Sequence, residues 1–164
     1  MGWYQMVGRG AFFAMRPETS HRVASALLGL PLPWARVGGA VQDPVLATSL
    51  AGLQLRNPIG LAAGFDKTCR HLDALGELGF GYVVGGTITR AAREGNARPR
   101  IARSPGHRSM TNAMGLPNPG ASAAAVNLAH TAGGAAPRFV SVADEDVADA
   151  VATLELLAPV ADGV

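Results

Sequence analysis

Cysteine is almost missing from this sequence, with Cys69 standing alone among 164 residues. That excludes a disulfide framework and a cysteine-based metal cluster, and it fits a reducing, cytosolic compartment. Long apolar runs are missing too: no stretch approaches the roughly 18 residues that a bilayer-spanning helix needs. No secretory leader is expected at the N-terminus, because Ala11-Phe12-Phe13-Ala14-Met15 is short and lies between Arg9 and Arg16. Aromatic residues are sparse at 5%, and none lies among the arginines of residues 90–108. With nothing there to stack on bases, the stretch is a poor nucleic-acid platform, and no nucleic-acid partner is expected. What remains is a chain 48% apolar and 16% charged, enough to bury one core of ordinary domain size.

The small net charge of +2 conceals a segregation. Residues 1–40 hold Arg9, Arg16, Arg22 and Arg36 against Glu18. Residues 90–108 hold Arg90, Arg93, Arg98, Arg100, Arg103 and Arg108 against Glu94, and from Asp144 onward every charged residue is acidic. Such basic stretches suit an anionic small molecule or a lipid head group, and equally a solvated surface.

Residues 1–30 read as two short helices. Pro17 fits a first turn, Glu18 the positive end of the helix dipole, and Val23, Leu27 and Leu30 form one apolar stripe. Trp3, Tyr4, Met6, Val7, Phe12, Phe13 and Met15 crowd the turns before it. An apolar helical pair bearing arginines can lie in a membrane interface or cap a domain, and the residues leave both open. Pro31 and Pro33 end the second helix, and residues 34–48 read as a Pro/Gly-containing linker. We place the helical extension at 1–36, the linker at 37–48 and the main domain at 49–164.

From residue 49 the texture changes. Leu50 to Arg56 reads as a short strand ended by Asn57-Pro58, and Ile59 to Ala63 as a small apolar run closing at Gly64. A helix with Leu72, Leu75 and Leu78 on one face stops at Gly79. Tyr82 to Thr89 is strand-like, and a long arginine-rich excursion follows it. A helix over roughly 119–131, a strand Arg138–Val142 and an acid-started helix carrying Val147, Val151 and Leu154 complete the pattern. Ala161 to Val164 resembles the entry to one more strand.

Repeated strand–helix units with non-alternating strands predict α/β architecture around a parallel sheet. A closed (β/α)8 TIM-type barrel takes about 250 residues. We therefore expect an incomplete barrel of about the first three βα units, with the helical extension ahead of it.

Several motifs fail on inspection. Gly60 to Thr68 lacks the Gly-Lys-Ser/Thr adjacency of a P-loop, and Gly79-Phe-Gly81 precedes a strand instead of following one. His21, His71, His107 and His130 are too scattered for a metal site, and no Gly-x-Ser-x-Gly elbow occurs. Chemistry in a parallel barrel sits at the C-terminal ends of its strands. There the sequence places Ala62-Ala63-Gly64-Phe65-Asp66-Lys67, then Gly86-Thr87, then Asn112-Ala113-Met114-Gly115 within the excursion. Small backbone, one cation and one amide suit a planar, anionic, heteroaromatic partner.

These segments carry a resemblance. Asn57 to Lys67, Asp73 to Gly81, Gly86 to Thr89, Gly95-Asn96 with Arg98-Pro99-Arg100, and Asn112 to Gly115 with Asn118-Pro119-Gly120 resemble the quinone-dependent (class 2) dihydroorotate dehydrogenases. Order and spacing are close to that family's, and Arg16 to His21 is similar to its N-terminal helical extension. The resemblance implies an FMN flavoprotein of pyrimidine biosynthesis that oxidises dihydroorotate to orotate with a membrane quinone as acceptor, peripheral on the cytoplasmic side of the cell membrane. It implies that Ala63, Gly64, Phe65, Asp66, Lys67, Thr87 and Ser141 meet the FMN. Lys67, Asn112, Ala113, Met114, Gly115 and Leu116 would meet the substrate, and the N-terminal helices would frame the quinone's entry. Ala113 and Leu116 stand where the family usually has Arg and Phe, Ser141 where it has Asn, and an acidic residue is usual near Gly85. The family's catalytic serine base is expected beyond Val164, so residues 1–164 are expected to be inactive alone. The alternative from another class is a non-catalytic half-barrel that associates with membranes or binds a partner.

Overall fold

The computed structural model of the chain describes residues 8–38, 41, 43–131 and 133–164. Helices α1 (Arg9–Ala14) and α2 (Pro17–Leu28) come first. Pro17 sits in the first turn of α2, where its missing N–H leaves no bond unmade, and the Gly29 N–H closes the other end on the Ser25 carbonyl. The stripe of Val23, Leu27 and Leu30 is the outer face of this segment, 38–48% exposed, while Ser20 and Leu28 turn inward. Trp3, Tyr4, Met6 and Val7 lie outside the described residues.

The stretch read as linker contains a third helix, α3 (Trp34–Gly38), followed by a 3-10 turn at Pro44–Leu46. The Pro33 carbonyl accepts from the N–H groups of Arg36 and Val37, and Trp34 packs on the core. Gly38 presses so closely on Leu78 that a Cβ would stand 2.5 Å from its Cα. The short strand expected at 50–56 is instead a hairpin, β1 (Thr48–Leu50) against β2 (Leu53–Leu55), with Leu50 opposite Leu53. Ala51 (φ 49°) and Gly52 (φ 84°) form its two-residue turn, both in the left-handed region that such tight connections require.

The main sheet begins with β3 (Gly60–Leu61), which leads through α4 (Leu72–Glu77) to β4 (Tyr82–Ile88). The arginine-rich excursion then folds into an antiparallel hairpin, β5 (Ile101–Ser104) against β6 (Ser109–Asn112), turning at Pro105-Gly106-His107. Helix α5 (Ala121–Ala129), strand β7 (Arg138–Val142) and helix α6 (Val147–Leu157) follow. The sheet is parallel in the order β3-β4-β7, and Gly163 bridges Phe139 in the same sense, accepting a 3.0 Å bond from the Val140 N–H. Spatial order thus follows chain order.

Leu72, Leu75, Val83, Ile88, Leu128, Val140 and Leu157 form the centre of the core, with Ala121 and Ala124 letting α5 approach closely. Cys69 is buried among them, and desolvation pushes its thiol up to about 12. A Cβ on Gly85 would stand 2.6 Å from the Cys69 sulfur, so the acidic residue expected near that position has no room at 85 itself. In α6 the stripe Val147, Val151 and Leu154 faces outward, 47–77% exposed, and Thr153 and Leu157 make the buried contact.

Leu72 is 1% exposed. Leu72→Ala is expected to lower unfolding stability by about 2–5 kcal/mol, the usual range for emptying a packed leucine site. Urea denaturation followed by far-UV circular dichroism measures it, and a loss under about 1 kcal/mol would show that the sheet–helix core is not as described.

Candidate functional site at the strand ends

An open-sided cavity of about 1630 Å³ lies at the C-terminal ends of β3 and β4, between them and the segment formed by α2 and the β5–β6 hairpin. Its floor is made where β3 runs out, at Ala62, Ala63, Gly64, Phe65 and Lys67. Gly64 has φ 106°, and a Cβ built on it would meet nothing within 4 Å, so the floor is flat and open at that point. Its N–H donates to the Gly86 carbonyl at 2.8 Å, and the Gly86 N–H donates to the Asp66 carbonyl at 2.8 Å. These two bonds lock the loop after β3 against the end of β4. Gly86 (φ 101°) admits no side chain, since a Cβ would stand 2.7 Å from the Ser141 carbonyl oxygen.

Asp66 has a different task from the one its place in the motif implies. Its carboxylate is buried, accepts from the Thr68 N–H (3.0 Å), the Thr68 hydroxyl (2.8 Å) and the His71 N–H (2.6 Å), and is not part of the cavity wall. Three donors on one carboxylate fix the path from the floor into α4. This fixed path leaves Lys67 pointing along the wall, its ammonium donating to the Gly64 carbonyl. Burial, assisted by the neighbouring Arg100 charge, lowers the Lys67 ammonium below the ordinary lysine value.

Thr87 reaches the cavity from β4, and its hydroxyl lies 3.0 Å from that of Ser141 on β7, which stands behind it and outside the wall. Asn112, Met114 and Leu116 line the opposite side, whereas Ala113 and Gly115 do not. Their loop is held by Asn96, which donates from its amide to the Ala113 carbonyl (3.0 Å) and from its backbone to the Met114 carbonyl (3.0 Å). Asn118 closes the loop's other end. Its side-chain oxygen accepts from Thr89 N–H and Gly120 N–H, and its amide donates to the Thr89 hydroxyl and the Leu116 carbonyl.

Sequence reasoning missed the upper wall. Glu18 and His21 of α2 and Arg100 and Arg103 of the hairpin face the cavity, joined across 80 residues and more. Glu18 pairs with Arg98 and Arg100, each at 2.5 Å, and Arg100 is only 8% exposed in its side chain. Arg100 also donates to the carbonyls of Glu94 (2.7 Å) and Asn96 (3.0 Å). The His21 ring lies 2.6 Å from the Phe65 carbonyl oxygen through Nε2, and the two rings meet edge to face. The signal that could have found this wall was the lone Glu18 among basic residues, facing a second basic stretch with one acid.

A parallel β/α sheet whose successive strand ends share one cavity defines the class: an α/β protein with its ligand site at the carboxyl edge of the sheet. The family model described as dihydroorotate dehydrogenase matches residues 45–164. The chain is 39% identical to the dihydroorotate dehydrogenase (quinone) of Clavibacter sepedonicus, over 97% of this chain and 50% of that protein. It is 40% identical to the protein of the same name from Brucella anthropi, over 92% of this chain and 41% of that one. Among solved structures, DHODH from Eimeria tenella in complex with ferulenol superposes with a TM-score of 0.72 at 28% identity, covering 88% of this chain and 41% of that one. This chain belongs to the dihydroorotate dehydrogenase family. It spans about half the length of the curated relatives it matches.

Arg100 and Arg98 hold the Glu18 carboxyl below the ordinary glutamate range, the Arg100 hydrogen bond foremost. On acidification the unfolded chain takes up this proton first. The stabilisation is therefore complete above about pH 4.3, the unfolded value, and is lost as pH falls through the lower folded value. Glu18→Gln should lower the urea midpoint at pH 7 and flatten its decline between pH 5 and 3. An unchanged pH dependence would show that the contact carries no stability.

Proposed function

We propose that residues 1–164 form one arc of a TIM-type (β/α)8 barrel, about three units of it. In this reading they supply part of the FMN and substrate site of a dihydroorotate dehydrogenase that uses a quinone. Family membership supports the reading. The observation that carries it within this chain is the flat floor Ala62–Gly64 with the Lys67 cation beside it and the Thr87 hydroxyl across from it. That set fits a flavin: small residues let a planar ring lie on backbone, a cation faces its electron-rich edge, and no side chain occupies the space over Gly64. When bound, FMN would supply the hydride acceptor for dihydroorotate and the route of its electrons to a quinone.

The chain's own residues would bind and orient. Ala63, Gly64, Phe65 and Lys67 would hold the flavin, with Thr87 fixed for it by Ser141. Asp66 would act from behind, by setting the loop. Asn112 would hydrogen-bond the substrate's amide and carbonyl edge, while Met114 and Leu116 cover it and Ala113 and Gly115 shape their loop. Lys67 would serve both ligands and would offset the anionic charge of orotate. The serine that takes the substrate's proton is assigned outside residues 1–164, so this stretch alone would bind but not turn over. The outward face of α1, α2 and the residues just after them, with Phe13, Val23, Leu27 and Leu30 exposed, supports a peripheral place on a membrane, which the family resemblance would put on the cytoplasmic side, with a quinone entering past His21.

Titrating FMN with the 164-residue chain is expected to quench flavin fluorescence. Gly64→Val, which places a branched side chain where the floor is open, should weaken that affinity by roughly tenfold, about 1.4 kcal/mol. Lys67→Ala should weaken it as well. No quenching by the unaltered chain, with folding shown by circular dichroism, would favour a non-catalytic binding module. Dihydroorotate–quinone turnover by residues 1–164 alone would overturn the assignment of the proton-abstracting group.

A further inference from the structure

A second, smaller cleft of about 380 Å³ lies between α1 and the β5–β6 hairpin, walled by Arg9, Phe13, Arg103, Pro105, Arg108 and Met110. Its chemistry differs from that of the main cavity. Two guanidinium groups bracket the Phe13 ring, that of Arg103 at 4.9 Å and that of Arg9 at 5.4 Å from its centre. Arg103 commits Nη1 to the carbonyls of Phe12 (3.3 Å) and Met15 (3.1 Å) and one Nη2 hydrogen to the Ser20 hydroxyl (3.4 Å), so its charge is held in place. The side chains of Arg9 and Arg108 are exposed and make no hydrogen bond or ion pair to other described residues. No carboxylate lines the cleft, and residues 1–7 contain none.

Three like charges gathered without a counter-ion repel one another unless an anion joins them. The other wall is apolar and open to solvent, with Phe13 49% and Met110 62% exposed. A free phosphate has no use for that wall, whereas a lipid matches both halves at once, its phosphate on the arginines and its glycerol and upper chain on Phe13 and Met110. We propose that this cleft is a headgroup site for an anionic phospholipid. Arg9 and Arg108 would be its phosphate ligands, and Arg103 its fixed charge. The proposal rests on the peripheral-membrane reading above and adds a lipid preference to it.

The test uses the full chain in co-sedimentation with two vesicle populations, phosphatidylcholine alone and phosphatidylcholine containing phosphatidylglycerol. The unaltered chain should bind the anionic vesicles at least tenfold more tightly. Arg9→Gln with Arg108→Gln should remove most of that preference, since each arginine at a membrane surface contributes roughly fivefold. Arg16→Gln with Arg36→Gln, equal in charge and away from the cleft, should remove much less. Excess soluble glycerol phosphate should displace little protein. Equal losses from both double variants would overturn the site in favour of diffuse attraction. Full displacement by glycerol phosphate would overturn it in favour of a soluble anion. Binding to both vesicles without preference would overturn this proposal and leave the membrane reading standing, whereas binding to neither would overturn both.

Discussion

The upper half of this structure depends on one nearly buried charge. Arg100 keeps only 8% of its side chain exposed and is bound by the Glu18 carboxylate and by the backbone carbonyls of Glu94 and Asn96. An arginine removed from water without partners would cost several kcal/mol, so these segments are tied together by the need to satisfy it. The consequence is geometric. These bonds join helix α2 to the loop before β5, Asn96 in turn holds the loop after β6, and together the three segments turn an open sheet edge into a cavity.

The lower half is held by carboxylate and amide groups in place of a cation. Asp66 gathers three donors from its own loop, and Asn118 spends its side chain on four partners around the end of β4. Asp66 stands behind the cavity wall and Asn118 within it, and both shape the cavity through bonds to their own loops. Satisfied groups of this kind make the loops stiff. The floor at Gly64 and the hydroxyl of Thr87 are thus each anchored by bonds to neighbouring backbone or side chain.

What the sequence disclosed was whatever local chemistry determines. Pro17 and Gly29 bound α2, the leucines and Gly79 define α4, and the run Tyr82–Ile88 is long enough to be a strand in any context. The hairpins β1–β2 and β5–β6 went unread because their strands are three or four residues long, although Ala51-Gly52 and Pro105-Gly106 are turn signals. Periodicity at α2 and α6 located an apolar stripe without saying what it faces, and both stripes are exposed. Both helices carry apolar residues on more than one face, and spacing alone does not say which face finds the core. The strand-end residues were legible because small residues, a lysine and a threonine fall at predictable places in a parallel sheet. The Glu18, His21 and Arg103 wall was not, because its partners are 44 to 91 residues apart in the chain.

The sheet's order carries a consequence for how the molecule is made. Because β3, β4, β7 and the Gly163 bridge lie side by side in the sequence in which they are synthesised, each new strand emerges next to an edge already built. Nothing in the sheet has to wait. Helix α2 leaves the ribosome early but cannot find Arg100 until some 82 further residues have followed it. The floor of the cavity is thus laid down before the hairpin that completes its roof has been made.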